Sequence, residues 1–156
     1  MNYKQKLIAV IGAMAAAAVL PFVATYEGTV LRTYRDPIGI VTACTGHTDP
    51  ELQMGQTFTK AQCEALLYQD LAKHADALDC IRRPLTDGQR AAFLSFAFNV
   101  GARAFCGSTL VRKANAGDMD GACAELSRWT YAGGKQLPGL VRRRAAERQL
   151  CEGGLA

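Results

Sequence analysis

Glu27 and Asp36 are the two carboxylates of this 156-residue chain whose placement could support acid–base chemistry. Hydrolysis of a glycosidic bond needs one carboxyl to protonate the leaving oxygen and a second group to assist the attacking water. Glu27 follows directly on an apolar run, where partial loss of water favours the protonated form that an acid requires. Asp36 opens Asp36-Pro37-Ile38-Gly39, which has the residues of a turn, where water and backbone donors favour the ionised form. Thr42, six residues farther on, offers a hydroxyl that could hold a water. Two acids nine residues apart occur by chance in many proteins, so chemistry alone permits this constellation without requiring it.

Other candidate sites are weaker. Cys44-Thr45-Gly46-His47 has a Cys-x2-His spacing that zinc could use, but no second closely spaced pair exists and His74 stands alone on an expected helix. Neither a metal site nor a cofactor is expected. The formal net charge of +4 is mild, and its densest basic cluster, Arg142-Arg143-Arg144, reads as a solvated helix face. Such a balance suits a polyanionic partner without demanding one, and no nucleic acid is expected.

What must position Glu27 is the segment before it. Leu7 to Ala24 are eighteen consecutive uncharged residues, preceded by Lys4 and Lys6. As a helix they would span about 27 Å, just enough to cross the hydrocarbon core of a bilayer. The lysines would hold the N-terminal end in the cytoplasm. Seven of the eighteen are Ala, with Gly12 and Pro21 among the rest, so such a span gains little from lipid and could leave it. A cleaved signal peptide, suggested by the basic start and by triplets such as Ala16-Ala17-Ala18, and a buried helix of a soluble protein are competing readings. A weak, uncleaved anchor is preferred. The chain then divides into an anchor segment, residues 1–24, and one exported domain, residues 25–156. All six cysteines fall in that domain, and an even count in an exported chain predicts disulfides. The set Cys44–Cys63, Cys80–Cys106 and Cys123–Cys151 is preferred because it closes only local loops; spacing itself does not fix it.

The β signal is confined to residues 30–42, a small hairpin or irregular sheet around the Asp36–Gly39 turn. Thr59 with Gln62 forms a capping box ahead of Cys63, Leu66, Leu67, Leu71, Ala75 and Leu78, which predicts a helix to about Cys80. After Pro84, Thr86 with Gln89 repeats the device before AAFLSFAFNV, which is apolar on every face. Residues 87–100 are therefore expected to form a central helix, ended by Gly101. Shorter helices are expected near 108–116 and 118–128, with Gly117 between them, then a loop over 129–139 and a last helix over about 139–151.

The spacing Glu27-x8-Asp36-x5-Thr42 resembles the triad of the phage lysozymes of glycoside hydrolase family 24, which includes the lysozymes of T-even phages. The likeness extends through Gly46-His47-Thr48, SFAFNVG at Ser95 to Gly101, STLVRKANAGD at Ser108 to Asp118 and RWTYAGGK at Arg128 to Lys135. With an apolar segment directly before the Glu, the chain is similar to the signal-arrest-release endolysins. The resemblance implies an α+β, mostly α, two-lobed lysozyme-like fold, with a β-hairpin lobe and a helical lobe behind an N-terminal membrane-anchor helix. It implies a muramidase that cuts the β-1,4 bond between N-acetylmuramic acid and N-acetylglucosamine in peptidoglycan. Glu27 would be the general acid, and Asp36 and Thr42 would position and activate the water, generally with inversion. The stretch holding Trp129, Tyr131 and Gly133 would face the substrate across the cleft from Asp36, although Trp129 reads equally as a core aromatic. An arginine of the last helix would pair with Glu27, and Arg142 and Arg143 are both candidates.

The likeness also implies a form of control. No cysteine precedes Cys44 and the middle triad position is Asp36, so a thiol-exchange switch is not available. Release by refolding is expected instead. Residues 7–24 would leave the host inner membrane when a holin, acting functionally and not by binding, collapses the membrane potential. The domain, already in the periplasm, would then become a soluble monomer that lyses the host. Two rivals stand beside this reading. A lytic transglycosylase needs one acid and no activated water, so Asp36 and Thr42 argue against it, and the other rival is a non-catalytic, membrane-anchored peptidoglycan-binding domain.

Overall fold

In the computed structural model, which describes residues 1–155, the long apolar run is not one helix. Two helices, α1 (Tyr3–Ile11) and α2 (Ala13–Glu27), meet at 117° across Gly12. Gly12 has φ 88° and ψ 157°, a backbone region essentially restricted to glycine. A capping box starts α1: Gln5 N–H donates to Asn2 Oδ1 at 2.8 Å and Asn2 N–H to Gln5 Oε1 at 2.9 Å. Leu7, Ile11, Ala15, Val19 and Val23 recur every fourth residue and are each no more than 1% exposed. Burial of each larger side chain in that stripe contributes about 1.5–3 kcal/mol. The opposite face, with Val10 and Met14, is exposed.

This arrangement corrects the expectation of a single anchor helix for the folded state. Once Gly12 turns the chain, a stripe at helical spacing can be buried in protein instead of lipid. Neither helix alone is long and apolar enough to cross a membrane, while the bent pair together has the length and composition of a span. A boundary after Ala24 falls inside α2.

The small lobe is a three-stranded antiparallel sheet of β1 (Val30–Arg35), β2 (Val41–Cys44) and β3 (His47–Thr48), in that order. Asp36 N–H to Ile40 O and Gly39 N–H to Asp36 O, both 2.9 Å, close the first turn. In the second pairing Thr42 stands opposite Thr48. The expected first long helix ends earlier than predicted: α3 (Lys60–Ala75) tightens into a 3-10 turn over Asp76–Cys80. The central helix is α4 (Asp87–Val100), with every residue from Ala91 to Ala97 fully buried. Both expected capping boxes form, at Thr59/Gln62 and Thr86/Gln89.

Three short helices follow, α5 (Ala102–Cys106), which was not expected, α6 (Thr109–Asn115) and α7 (Met119–Glu125). Where a loop was expected, β4 (Tyr131–Ala132) and β5 (Lys135–Gln136) form a small hairpin. Gly133 and Gly134, at φ 58° and 77°, supply the two positive φ values that such a tight turn needs. The last helix is α8 (Pro138–Gly153). Disulfides join Cys44 to Cys63, Cys80 to Cys106 and Cys123 to Cys151, with Cα separations of 5.0, 5.6 and 5.7 Å, ordinary for such bridges. Cys44 is thus spent on a disulfide, so the Cys-x2-His pair does not form a zinc site.

The crossing of α4 and α8 depends on one small residue. A Cβ at Gly88 would overlap the backbone of Leu150 and Gly154, which cannot swing aside as a side chain would. Gly88→Ala is expected to lower stability by about 1–3 kcal/mol through overpacking, read by thermal unfolding of the full chain. An unchanged melting temperature would show that α8 can slide without loss.

Candidate active site

Glu27 is the last residue of α2. Gly28, at φ 74°, ends the helix and donates its N–H back to Ala24 O, so the chain leaves the helix at the carboxyl. The helix that begins at the Gly12 bend therefore delivers Glu27. Arg143, and not Arg142, meets it: Nη1 donates to Glu27 Oε1 at 2.5 Å, with Arg143 4% and Glu27 24% exposed at the side chain. The other oxygen, Oε2, faces the β2–β3 turn, where a Cβ on Gly46 would stand 4.0 Å from it. One oxygen is held and the other is presented.

Behind this contact lies a buried ionic network. Arg143 Nε donates to Glu147 Oε1 at 3.1 Å, and its Nη2 donates to Ser95 O at 3.1 Å and to Ser95 Oγ at 3.3 Å. Arg144 Nη1 donates to both oxygens of Glu147, at 2.7 and 2.5 Å, and its Nη2 donates to Asn99 Oδ1. Ser95 Oγ donates to Glu147 Oε1 at 2.9 Å. Burial pushes the Glu147 carboxyl above its ordinary value, against the pull of Arg144 and Arg143, and pushes Arg144 below its own, against the pull of Glu147. Arg143 and Arg144 are 3% and 1% exposed, so the arginine run is not a solvated face as expected. Glu147, three and four residues on, supplies the counter-charge that lets both arginines turn inward. Only Arg142 of the three is exposed.

Two cavities meet at Glu27 and Asn99. One, of about 630 Å³, lies against α8 and is lined by Tyr26, Leu137, Leu140 and Arg142. The other, of about 390 Å³, is bounded by Gly46 and Thr48 on the β side and by Asp70, Lys73, His74 and Phe98 on the helical side. The second lies between the lobes and the first extends it along α8, so together they form a groove with Glu27 in its wall. A separate cavity of about 370 Å³, walled by Leu20, Ala24, Leu31 and Leu67, holds no pair of groups that could do this chemistry.

Asp36 sits at the tip of the β1–β2 hairpin and lines neither groove cavity. Its Oδ1 accepts N–H groups from Ile38 at 3.0 Å and Ile40 at 2.8 Å, which leaves Oδ2 without a partner among the described residues. Thr42 is buried, and its Oγ1 donates to Ile40 O at 3.0 Å, which leaves its lone pairs to accept. Trp129 does not face the groove. Its ring packs edge-on against Phe96, 5.1 Å between centroids, and its carbonyl accepts from Arg144 Nε at 2.9 Å, so the core-aromatic alternative describes it. Tyr131 is exposed on β4, and Gly133 is the turn of that hairpin.

Sequence reading missed the partner of His47. Asp70, on α3, has Oδ2 at 2.8 Å from His47 Nδ1, tying the small lobe to the helical one beside the groove. Nothing in the spacing of a histidine on a strand and an aspartate on a helix announces that contact. Glu147 was also missed, although an Arg–Glu pair four residues apart is a readable helical signal.

A family profile described as phage lysozyme matches residues 24–147. Among curated relatives, a SAR-endolysin of Enterobacteria phage PA-2 is 48% identical over 126 residues, covering 80% of this chain and 76% of the relative. Among solved structures, the muramidase domain of SpmX from Asticaccaulis excentricus superposes with a TM-score of 0.80 at 32% identity, covering 86% of this chain and 94% of that one. The active form of P1 phage endolysin Lyz shares the fold over the whole chain, with a TM-score of 0.80 at 24% identity and 96% of its own length covered.

Proposed function

Because this chain belongs to the phage lysozyme family, whose members are glycosidase-type hydrolases, we propose that it is an endolysin that hydrolyses the β-1,4 bond between N-acetylmuramic acid and N-acetylglucosamine in peptidoglycan. The observation that carries this reading is the two-sided environment of Glu27: Arg143 holds Oε1 while Oε2 is turned to the groove. Oε2 gives its proton to the glycosidic oxygen as the bond breaks. On the opposite face of the sugar, a water lends one hydrogen to Thr42 Oγ1 and loses the other to Asp36 Oδ2 as it attacks the anomeric carbon. An inverting enzyme of this kind needs its carboxyls about 6.5–9.5 Å apart in the loaded cleft, to admit that water.

The same proposal covers control. Residues 7–24 hold the protein at the host inner membrane, and release lets α1 and α2 fold onto the domain that waits in the periplasm. The relative from phage PA-2 carries the name SAR-endolysin, and in this chain the bent pair has the composition of a span. Since α2 supplies both a core stripe and Glu27, a tethered chain lacks its acid.

The test is mass spectrometry of the sugars that the full chain releases from purified Gram-negative peptidoglycan, with Glu27→Gln and Asp36→Asn in parallel. Reducing muramic acid ends are expected from the wild type, falling about 10²–10⁴-fold in Glu27→Gln and strongly in Asp36→Asn. Anhydro ends that survive Asp36→Asn would make the protein a transglycosylase. Binding without release of any sugar would make it a wall-binding domain.

A further inference from the structure

Glu147 takes no part in the chemistry above, yet it is the most enclosed titratable side chain of the site, 0% exposed on α8. An unpaired carboxylate there would be strongly unfavourable. It is paired on every side: Arg143 Nε, Arg144 Nη1 and Ser95 Oγ all donate to it. For Arg143 the consequence is directional. With Nε on Glu147 and Nη2 on Ser95, Nη1 is the nitrogen left to reach Glu27. For the field the consequence is arithmetic: two arginines and one buried carboxylate leave one net positive charge beside Glu27.

We propose that Glu147 is a positioning residue for the reaction: through Arg143 it aims one N–H at Oε1 of Glu27, keeps Oε2 free toward the groove, and limits the positive charge beside Glu27 to one. This rests on the reading of Glu27 as the general acid. Glu147→Gln preserves the shape of the side chain but deletes its charge, so Arg143, which touches Glu27, and Arg144 beside it lose their shared counter-charge. Extra positive charge favours the ionised acid, which then loses the proton needed by the leaving oxygen at a lower pH. The other charged or titratable groups on the walls around Glu27 are Tyr26 of α2, Arg142 of α8 and Asp70, Lys73 and His74 of α3, with His47 of β3 behind Asp70. None of them is altered in this variant.

The experiment is a set of pH–rate profiles for release of reducing ends by the full chain, with thermal unfolding of each variant. In Glu147→Gln the alkaline limb, which reports the acid, is expected to move to lower pH by about one unit. In Glu147→Asp, which keeps the charge and shortens the reach, the rate falls while the limb stays near its wild-type position. Arg144→Gln removes a positive charge instead and is expected to move the limb the opposite way, which keeps the test decisive if Glu147→Gln does not fold. A limb that stays fixed while the rate falls equally at every pH, in step with the folded fraction, would overturn the proposal. Glu27→Gln separates this failure from that of its premise: full activity there removes both, whereas an inactive Glu27→Gln beside an unmoved limb removes only the role of Glu147.

Discussion

Arg143→Ala is expected to lower stability by about 3–5 kcal/mol, because it leaves buried charge without its partner. For a chain of this length that corresponds to a fall in melting temperature of roughly 6–20 °C. Among the described residues Arg143 is the one that touches Glu27, Glu147 and Ser95 together, so its loss frees the candidate acid and strips the buried carboxylate of one of its two arginines. At a temperature where the variant is still folded, release of reducing ends should fall about 10²-fold, as expected when a reacting group is displaced by about 1 Å. Arg143→Lys is expected to recover part of the stability and little of the rate, since an ammonium group carries the charge without the three-way fork. A variant as stable and as active as the wild type would show that Glu27 needs no clamp.

The second large effect is expected at Gly12. Its φ of 88° and ψ of 157° permit the 117° bend, and a side chain in that region costs about 1–3 kcal/mol. In a straight, membrane-spanning helix the same substitution is favourable by about 1 kcal/mol, the difference in propensity between Gly and Ala. Gly12→Ala therefore penalises the bent form and rewards the straight one, and the two effects add to about 2–4 kcal/mol. Their sum corresponds to a shift of about 30- to 700-fold toward the membrane form. Fractionation of cells before and after collapse of the membrane potential would read it directly: the wild type moves to the soluble fraction, and the variant stays with the membrane. Equal release of both would mean that the bend is not part of the change of state.

The helices that carry the fold were legible where local chemistry and hydrophobic period agree. Thr59/Gln62 and Thr86/Gln89 both mark real helix starts, and the all-round apolar α4 lies at the centre. Asn2/Gln5 is a capping box of the same type, but the apolar run behind it outweighed it and hid the turn at Gly12. That run can be buried by lipid or by protein, and composition does not distinguish the two. The β4–β5 hairpin was also within reach, since two glycines between short strands are a turn signal. In the site, the sequence left Arg142 and Arg143 open because the choice depends on helix phase. With α8 starting at Pro138, Arg143 and Glu147 fall on one inward line while Arg142 faces out. The contact between His47 and Asp70 joins elements from different lobes and has no local signature.

The three disulfides have a bearing on the order of assembly. They tie β2 to α3, the 3-10 turn to α5, and α7 to α8, and all lie between Cys44 and Cys151. None fastens the first forty-three residues, whose only covalent link to the rest is the run of the chain. The body can therefore be fully oxidised while its first two helices are elsewhere. On the proposed release from the membrane, the permanent bonds and the candidate acid arrive at different times, and a chain with every cystine in place does not yet have Glu27 in the groove wall.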